Sequence, residues 1–201
     1  MHPKIVRHFK QHDPRIYSSI AKIAPIDDVQ KAPPRTYFMR LTKEIVYQQL
    51  SDKAGHAIYK RFVGLFPRRA ITPQRVLNTP HETLRSSGVS NAKAQYVKNV
   101  ADAFDKKTLP YHNFLHMTDE EVIAALTTIK GIGRWTAEMF LMFTLGREDI
   151  FSFGDLGLKN GMKKIYGFKK EPSKARVEKI ISPWSPYKTY GCLVLWGIGD
   201  V

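Results

Sequence analysis

Leu126-Thr-Thr-Ile-Lys-Gly-Ile-Gly-Arg-Trp-Thr-Ala137, followed further along by Phe153-Gly-Asp155, is the stretch whose reading decides the fold. Its first part predicts a helix, a glycine-pinned hairpin and a second helix. Its second part sets a lone acidic residue at the start of another helix, twenty positions beyond Trp135. In Lys130-Gly-Ile-Gly-Arg134 two glycines flank one apolar residue. Glycine permits positive φ and lets another backbone approach closely. Ile132 then plugs the space between the helices. The amides of Gly131 and Gly133 point outward at the N-terminus of the second helix, where an anion is favoured. Arg134 adds a charge and Thr136 a hydroxyl, which makes these four residues candidate phosphate ligands. An ordinary helix–helix corner also uses glycine, so the hairpin alone leaves both readings open.

The rest of the chain narrows the choice. With 201 residues and 43% hydrophobic content it can bury a core, as one domain or two small lobes. No apolar run approaches the roughly 20 residues that cross a bilayer. The first residues, Met1-His-Pro-Lys-Ile-Val-Arg-His8, lack the apolar stretch of a signal peptide. Cys192 is the single cysteine, which excludes an internal disulfide, a cysteine zinc site and a four-cysteine iron–sulfur cluster. An intracellular protein is expected, in the cytoplasm and nucleoid of a prokaryote or the nucleus of a eukaryote. The formal charge is +14, from 32 Lys and Arg against 18 Asp and Glu. Spread along the chain, these cations form a folded basic surface rather than a disordered arm. Such a surface attracts a polyanion, nucleic acid first and an anionic membrane second. Many small basic proteins are merely soluble, so charge alone leaves function open. No helical stretch combines a clean apolar face with a basic one, and no membrane partner is expected.

Periodicity is helical almost throughout. Phe38, Leu41, Ile45 and Val46 recur at helical spacing, as do Ala57, Ile58, Phe62 and Leu65. Further helical runs cover 93–104, 120–127, 135–145, 156–165, 174–181 and 187–197, and strand-type alternation is nowhere sustained. Proline-containing breaks at 32–34, 66–67, 72–73, 79–80, 109–110, 171–172, 182–183 and 185–186 punctuate them. The fold class is therefore all-α, a bundle of ten or more short helices. Thr118 leads three acids into a helix and reads as an N-cap, with Ser173 and Asp52 as further cap candidates. His112 and His116 stand at i, i+4, but no carboxylate or cysteine completes a metal site, and they read as surface.

These residues resemble the helix-hairpin-helix DNA glycosylases, specifically the 3-methyladenine DNA glycosylase II branch. The resemblance runs from about Tyr37 to Trp196. It is carried in order by Val46-Tyr-Gln-Gln-Leu-Ser51, Ser90-Asn-Ala-Lys-Ala94, Ile129-Lys-Gly-Ile-Gly-Arg-Trp-Thr-Ala137, Phe153-Gly-Asp-Leu156 and Trp184-Ser-Pro-Tyr-Lys-Thr-Tyr190, followed by Trp196. The longer members carry an extra N-terminal β-lobe for which this chain has no room, so the compact form is expected. The resemblance implies two helical lobes with a cleft between them. One holds about residues 36–147, with the hairpin motif at about 119–146. The other joins residues 1–35 to 148–201 and carries Asp155. It further implies damaged double-stranded DNA as partner, a monomer, and no required cofactor. A structural Na+ or K+ is expected at the hairpin, held by the backbone carbonyls of Thr127, Ile129 and Ile132.

The implied reaction breaks the bond between a base and deoxyribose. The nucleotide must first be rotated out of the stack, at a cost of a few kcal/mol. Asp155 is the candidate catalytic group, stabilising the oxocarbenium-like sugar and orienting water; by position it is also a helix N-cap, and the two roles can coexist. Sugar hydrolases need two carboxylates because the leaving oxygen must be protonated. An N-alkylated purine is already cationic, and one carboxylate suffices. Aromatic faces attract such a ring, and Trp135, Trp196, Tyr187 and Met139 are the base-pocket candidates, with Trp184 behind them. An aromatic residue at helical spacing is usually core, and at least one of the four aromatics is expected to be only that. Trp135 also fills the position where bifunctional relatives carry a lysine nucleophile, which implies hydrolysis without strand cleavage. Gln48, Gln49 and Leu50 close a helix as the candidate wedge filling the gap left by the base, though polar helix surface fits the glutamines equally. Lys159, one turn past Asp155, is a further phosphate candidate. The alternatives are a glycosylase for deaminated or oxidised purines and a non-catalytic helix-hairpin-helix DNA-binding module.

Overall fold

The computed structural model describes residues 1–199, apart from the side chain of Asp52. Among these residues the fold is all-α, as the periodicity predicts, with twelve α-helices and no strands. In chain order they are α1 (Pro3–His12), α2 (Pro14–Ile20), α3 (Tyr37–Tyr47), α4 (Asp52–Gly64), α5 (Pro73–Asn78), α6 (His81–Ser86), α7 (Asn91–Asp105), α8 (Asp119–Thr127), α9 (Arg134–Phe143), α10 (Leu156–Tyr166), α11 (Lys174–Ile181) and α12 (Lys188–Gly199). Two compact units share them. Residues 31–145 hold α3 to α9; residues 1–30 and the chain from Gly146 onward hold α1, α2 and α10 to α12.

Caps set where the helices begin, because the first amides of a helix lack internal partners. Thr118 and Glu121 form the reciprocal pair that starts α8. Ser173 starts α11 by accepting from the Arg176 amide, and Ser90 starts α7 by accepting from Lys93. At α4 the cap is Ser51, one residue before the expected Asp52; its hydroxyl accepts from the Ala54 amide. The apolar face predicted for α4 also rotates: Phe62 is buried, Ile58 and Leu65 are half-buried, and Ala57 is exposed. Phe66, just past the helix end, takes the remaining space against Phe62 at a ring separation of 5.4 Å.

In the unit spanning residues 31–145, α3 packs against both α7 and α9. Tyr37, Phe114 and Phe140 form its aromatic centre, with Tyr37 edge-on to Phe140 at 5.3 Å. In the other unit α10 and α12 approach so closely that a Cβ at Gly161 would stand 2.3 Å from the Leu195 carbonyl oxygen. That unit is anchored on Asp13, which is 7% exposed. Its Oδ1 accepts from the amides of Arg15 and Ile16, and its Oδ2 from Tyr166 Oη and, at 2.8 Å, from Trp184 Nε1. A buried carboxylate is tolerated only when donors replace its water. Burial, followed by the hydrogen bond to Asp13, pushes the Tyr166 phenol up.

Gly161→Ala therefore overpacks the α10–α12 contact and is expected to lower stability by about 1–3 kcal/mol. Gly64 closes α4, and a Cβ at that position would meet nothing within 4 Å, so Gly64→Ala is expected to be neutral or to stabilise by up to about 1 kcal/mol. Chemical denaturation of the two variants checks the contrast.

Candidate active site and nucleic-acid interface

Asp155 is the N-cap of α10 and is 8% exposed. Its Oδ1 accepts from the Leu158 amide at 2.8 Å and from Trp196 Nε1 at 2.8 Å. The capping role and the candidate catalytic role thus fall on one carboxylate, fixed from the α10 side by a backbone donor and from the α12 side by an indole. Gly157 makes the second bond feasible: a Cβ there would sit 2.7 Å from Trp196 Cδ1 and 3.1 Å from Asp155 Oδ1. Any side chain at 157 would push the indole away from the carboxylate. Leu156, adjacent in sequence, leaves 70% of its surface exposed, giving this end of α10 an apolar outer face.

The aromatic candidates separate. Trp196, half-buried on α12, is the one brought to Asp155. Trp184 is core: it is 0% exposed, with its Nε1 committed to Asp13. Tyr187 sits elsewhere, edge-on to His8 at 5.1 Å with Lys4 Nζ 5.6 Å from its ring centre. It precedes the first turn of α12, about 13 Å of helix rise before Trp196, and its described neighbours do not include Asp155. On the other unit Trp135 is 37% exposed at the second position of α9, whereas Met139 is 4% exposed and serves as core. Beside the Asp155 segment lies a pocket of about 240 Å³ lined by Phe151, Phe153, Met162 and Val177, with Lys159 and Glu171 at its rim. Lys159 pairs with Glu171 at 2.8 Å, which holds that carboxyl below its usual range. The lysine expected at a phosphate therefore has its charge already met.

The hairpin has the predicted form. Gly131 adopts φ +110° and lies on the Tyr96 ring, where a Cβ would come within 2.2 Å of Tyr96 Cγ. Ile132 is 4% exposed, and its amide donates to the Ile129 carbonyl at 3.0 Å. Gly133 is the N-cap of α9; it brings no side-chain cap, and a Cβ built there meets nothing within 4 Å. The first turn of α9 thus presents backbone amides and the positive end of the helix dipole at an open surface.

Two of the side chains expected at this anion site face other groups. The guanidinium of Arg134 bonds Glu120 from Nη1 at 3.0 Å and Glu138 from Nε at 2.9 Å, tying α9 to α8. These carboxylates push its pKa further up, and in this structure its charge is paired with them. Thr136 is 2% exposed, and its Oγ1 accepts from Gln48 Nε2 at 3.0 Å. Gln48 also donates to the Gly131 carbonyl at 3.2 Å, so the side chain expected at the wedge is here a strut against the hairpin. The helix expected to run through Gln48-Gln49-Leu50 stops at Tyr47. Gln49, exposed at φ +57°, and half-buried Leu50 occupy a tight turn beyond it. His112 and His116 are exposed as read from the sequence, and the described residues hold no cluster of three metal-ligating side chains.

Lys93, quoted within Ser90–Ala94 but given no role, and Tyr96 and Asn99 beyond it were not read as site residues. They recur every third residue along α7, and all face the hairpin side: Lys93 Nζ reaches Gln48 O at 2.6 Å, and Asn99 Nδ2 reaches Lys130 O at 2.9 Å. Their spacing was legible, but polar residues on a helix usually mean solvent, and only the partner carbonyls reveal otherwise.

The two hairpin glycines predict different phenotypes. Gly131→Ala combines a left-handed φ with a clash and is expected to cost about 2–5 kcal/mol. Gly133→Ala is expected to change stability by no more than about 1 kcal/mol, yet to weaken duplex DNA binding because its methyl occupies the open approach to the α9 amides. Thermal melts alongside a DNA titration separate the two effects.

Comparison with known proteins places this geometry. Residues 42–186 match the family described as HhH-GPD superfamily base excision DNA repair protein. The chain is 34% identical over 199 residues to the alkylbase DNA glycosidase-like protein mag2 of Schizosaccharomyces pombe, covering 96% of this chain and 91% of that protein. Its fold is similar to that of S. pombe 3-methyladenine DNA glycosylase (Mag1) in complex with abasic DNA, at a TM-score of 0.84 and 31% identity, covering 96% of this chain and 95% of that one. A DNA-3-methyladenine glycosidase from Bacillus halodurans is similar at a TM-score of 0.81 and 36% identity, covering 100% and 90% of the two chains. The matched span takes in both the hairpin and Asp155, and the chain belongs to the HhH-GPD superfamily of base excision DNA repair proteins.

Proposed function

We propose that this protein is a monofunctional DNA glycosylase that extrudes alkylated purines of the 3-methyladenine and 7-methylguanine class from duplex DNA and hydrolyses their N-glycosidic bond. The observation that carries the reading is Asp155: a nearly buried carboxylate held by a backbone amide and an indole at a helix N-terminus, inside the span that matches a base excision family. Relatives named as 3-methyladenine glycosylases support the substrate class.

In the reaction the C–N bond breaks with its electron pair going to the base. The cationic N-alkylpurine leaves neutral, so no second carboxyl has to donate a proton. Positive charge develops on the sugar and is stabilised by the Asp155 carboxylate. Water then adds to the anomeric carbon and loses its proton to that carboxylate or to solvent. The open amides of the α9 N-terminus grip the strand, and the +14 charge draws the duplex in. Trp135 in place of a nucleophilic lysine leaves no amine there for a Schiff base, so the backbone stays intact.

The cation expected at the hairpin fits the chemistry of the carbonyls of Thr127, Ile129 and Ile132, which are neutral oxygen donors suited to Na+ or K+. The Ile129 oxygen takes one hydrogen bond, from the Ile132 amide, and a carbonyl has two lone pairs. A bound ion there would supply local positive charge beside the phosphate.

Asn caps a helix about as well as Asp, so Asp155→Asn is expected to keep the fold and duplex binding while lowering base release by roughly a hundredfold or more. Release measured on methylated duplex is the test. Wild-type protein that binds DNA but frees no base would leave the binding-module reading. A strand nick by pure enzyme at neutral pH would remove the monofunctional one. Duplex affinity is expected to fall with salt at a slope of roughly −0.9 per phosphate neutralised.

A further inference from the structure

Tyr47 to Leu50 form a tight turn, with the Leu50 amide donating to the Tyr47 carbonyl at 3.1 Å. Gln48 has φ −45° and ψ 129°, and Gln49 has φ +57°. That is the pattern of a type II turn, whose third residue is ordinarily glycine. Here it is an exposed glutamine. A non-glycine residue in the left-handed region is strained, and such strain persists only where the surroundings over-determine it.

The surroundings are explicit. Lys93 Nζ donates to Val46 O at 2.9 Å and to Gln48 O at 2.6 Å, covering carbonyls that the end of α3 leaves without helical partners. The Gln48 side chain runs the other way, to Gly131 O and Thr136 Oγ1. Tyr96 and Asn99, on the same stripe of α7, hold Gly131 and the Lys130 carbonyl. One helix face thus braces the Gln49 turn and the hairpin together, all within one unit.

We propose that Lys93 is a positioning residue for base extrusion: its ammonium holds the Gln49 turn in its strained form and, through Gln48, locks that turn to the hairpin. Gripping the phosphate and inserting the turn then become one rigid-body event rather than two separately ordered ones. Lys93 touches neither the base nor the sugar. Its effect is confined to the step in which the nucleotide leaves the stack, and the proposal rests on the glycosylase reading above.

The test compares wild type, Lys93→Met and Lys93→Arg on two duplexes. One carries a methylated purine in a good pair; the other carries it in a mismatch, where extrusion costs less. Base release, duplex affinity and the fluorescence of a 2-aminopurine beside the lesion are measured for each. Lys93→Met is expected to lower release and the fluorescence rise by about tenfold to a hundredfold on the paired duplex. It should lower them by less than about threefold on the mismatch and leave affinity within a similar factor. Lys93→Arg, which keeps a donor for both carbonyls, is expected to recover much of the loss. Equal losses on the two duplexes mean a merely structural role and overturn the proposal, as does no loss at all. If wild type frees no base from either duplex, the glycosylase reading fails, and the 2-aminopurine signal alone still decides whether Lys93 governs extrusion.

Discussion

A carboxylate removed from water must be met by donors, and this requirement organises the unit that carries Asp155. Two aspartates there are nearly buried, both are N-caps, and both receive a tryptophan N–H at 2.8 Å: Asp13 from Trp184 and Asp155 from Trp196. The first pair is a fastening. Asp13 collects four donors from α2, α10 and the Trp184 segment, and Trp184 is packed in turn against Phe9 and Gly191. At Asp155 the two donors described converge on a single oxygen. The same chemical device serves cohesion in one place and orientation in the other. The glycines at 157, 161 and 191 exist because indoles and a helix backbone must come this close to make it work.

The other unit answers a different demand, that of presenting backbone amides without burying them. Its hairpin is built so that side-chain charge is cancelled nearby. Arg134 is spent on Glu120 and Glu138, and Thr136 on Gln48. What is left at the surface is the uncapped start of α9 beside Gly133. A helix start of this kind favours an anion by geometry and dipole, and the lysines and arginines dispersed along the chain give it a net charge of +14.

Much of this was legible in the sequence, and the failures are instructive. Periodicity yields the longer helices because amphipathic helices fold by burying a stripe, and Thr118 or Ser173 mark starts because hydroxyls satisfy orphan amides. Gly131 stands out because its left-handed backbone excludes most residue types, and Asp155 because a short acidic side chain before a helical run reads as an N-cap. Partner choice is what a linear reading cannot supply. Arg134, Thr136 and Lys159 have the right chemistry for a phosphate, but each finds a protein group first, at a residue 14, 88 and 12 positions away respectively. Tyr187 and Trp196 read alike as aromatic candidates, yet one belongs with His8 and Lys4 and the other with the carboxylate. Gln49 read as the end of a helix, wedge or polar surface, because nothing in Gln-Gln-Leu announces a left-handed turn. That turn is imposed from α7.

The bond between Trp196 and Asp155 also limits what the indole can say to anything laid against it. Tryptophan has a single polar proton, and here it is engaged. The remaining vocabulary of the side chain is its electron-rich face, which responds to the charge and flatness of a neighbouring ring and is blind to where that ring carries its amino or keto groups. Such a face responds to electron deficiency in whatever ring is laid on it, and not to a hydrogen-bonding pattern.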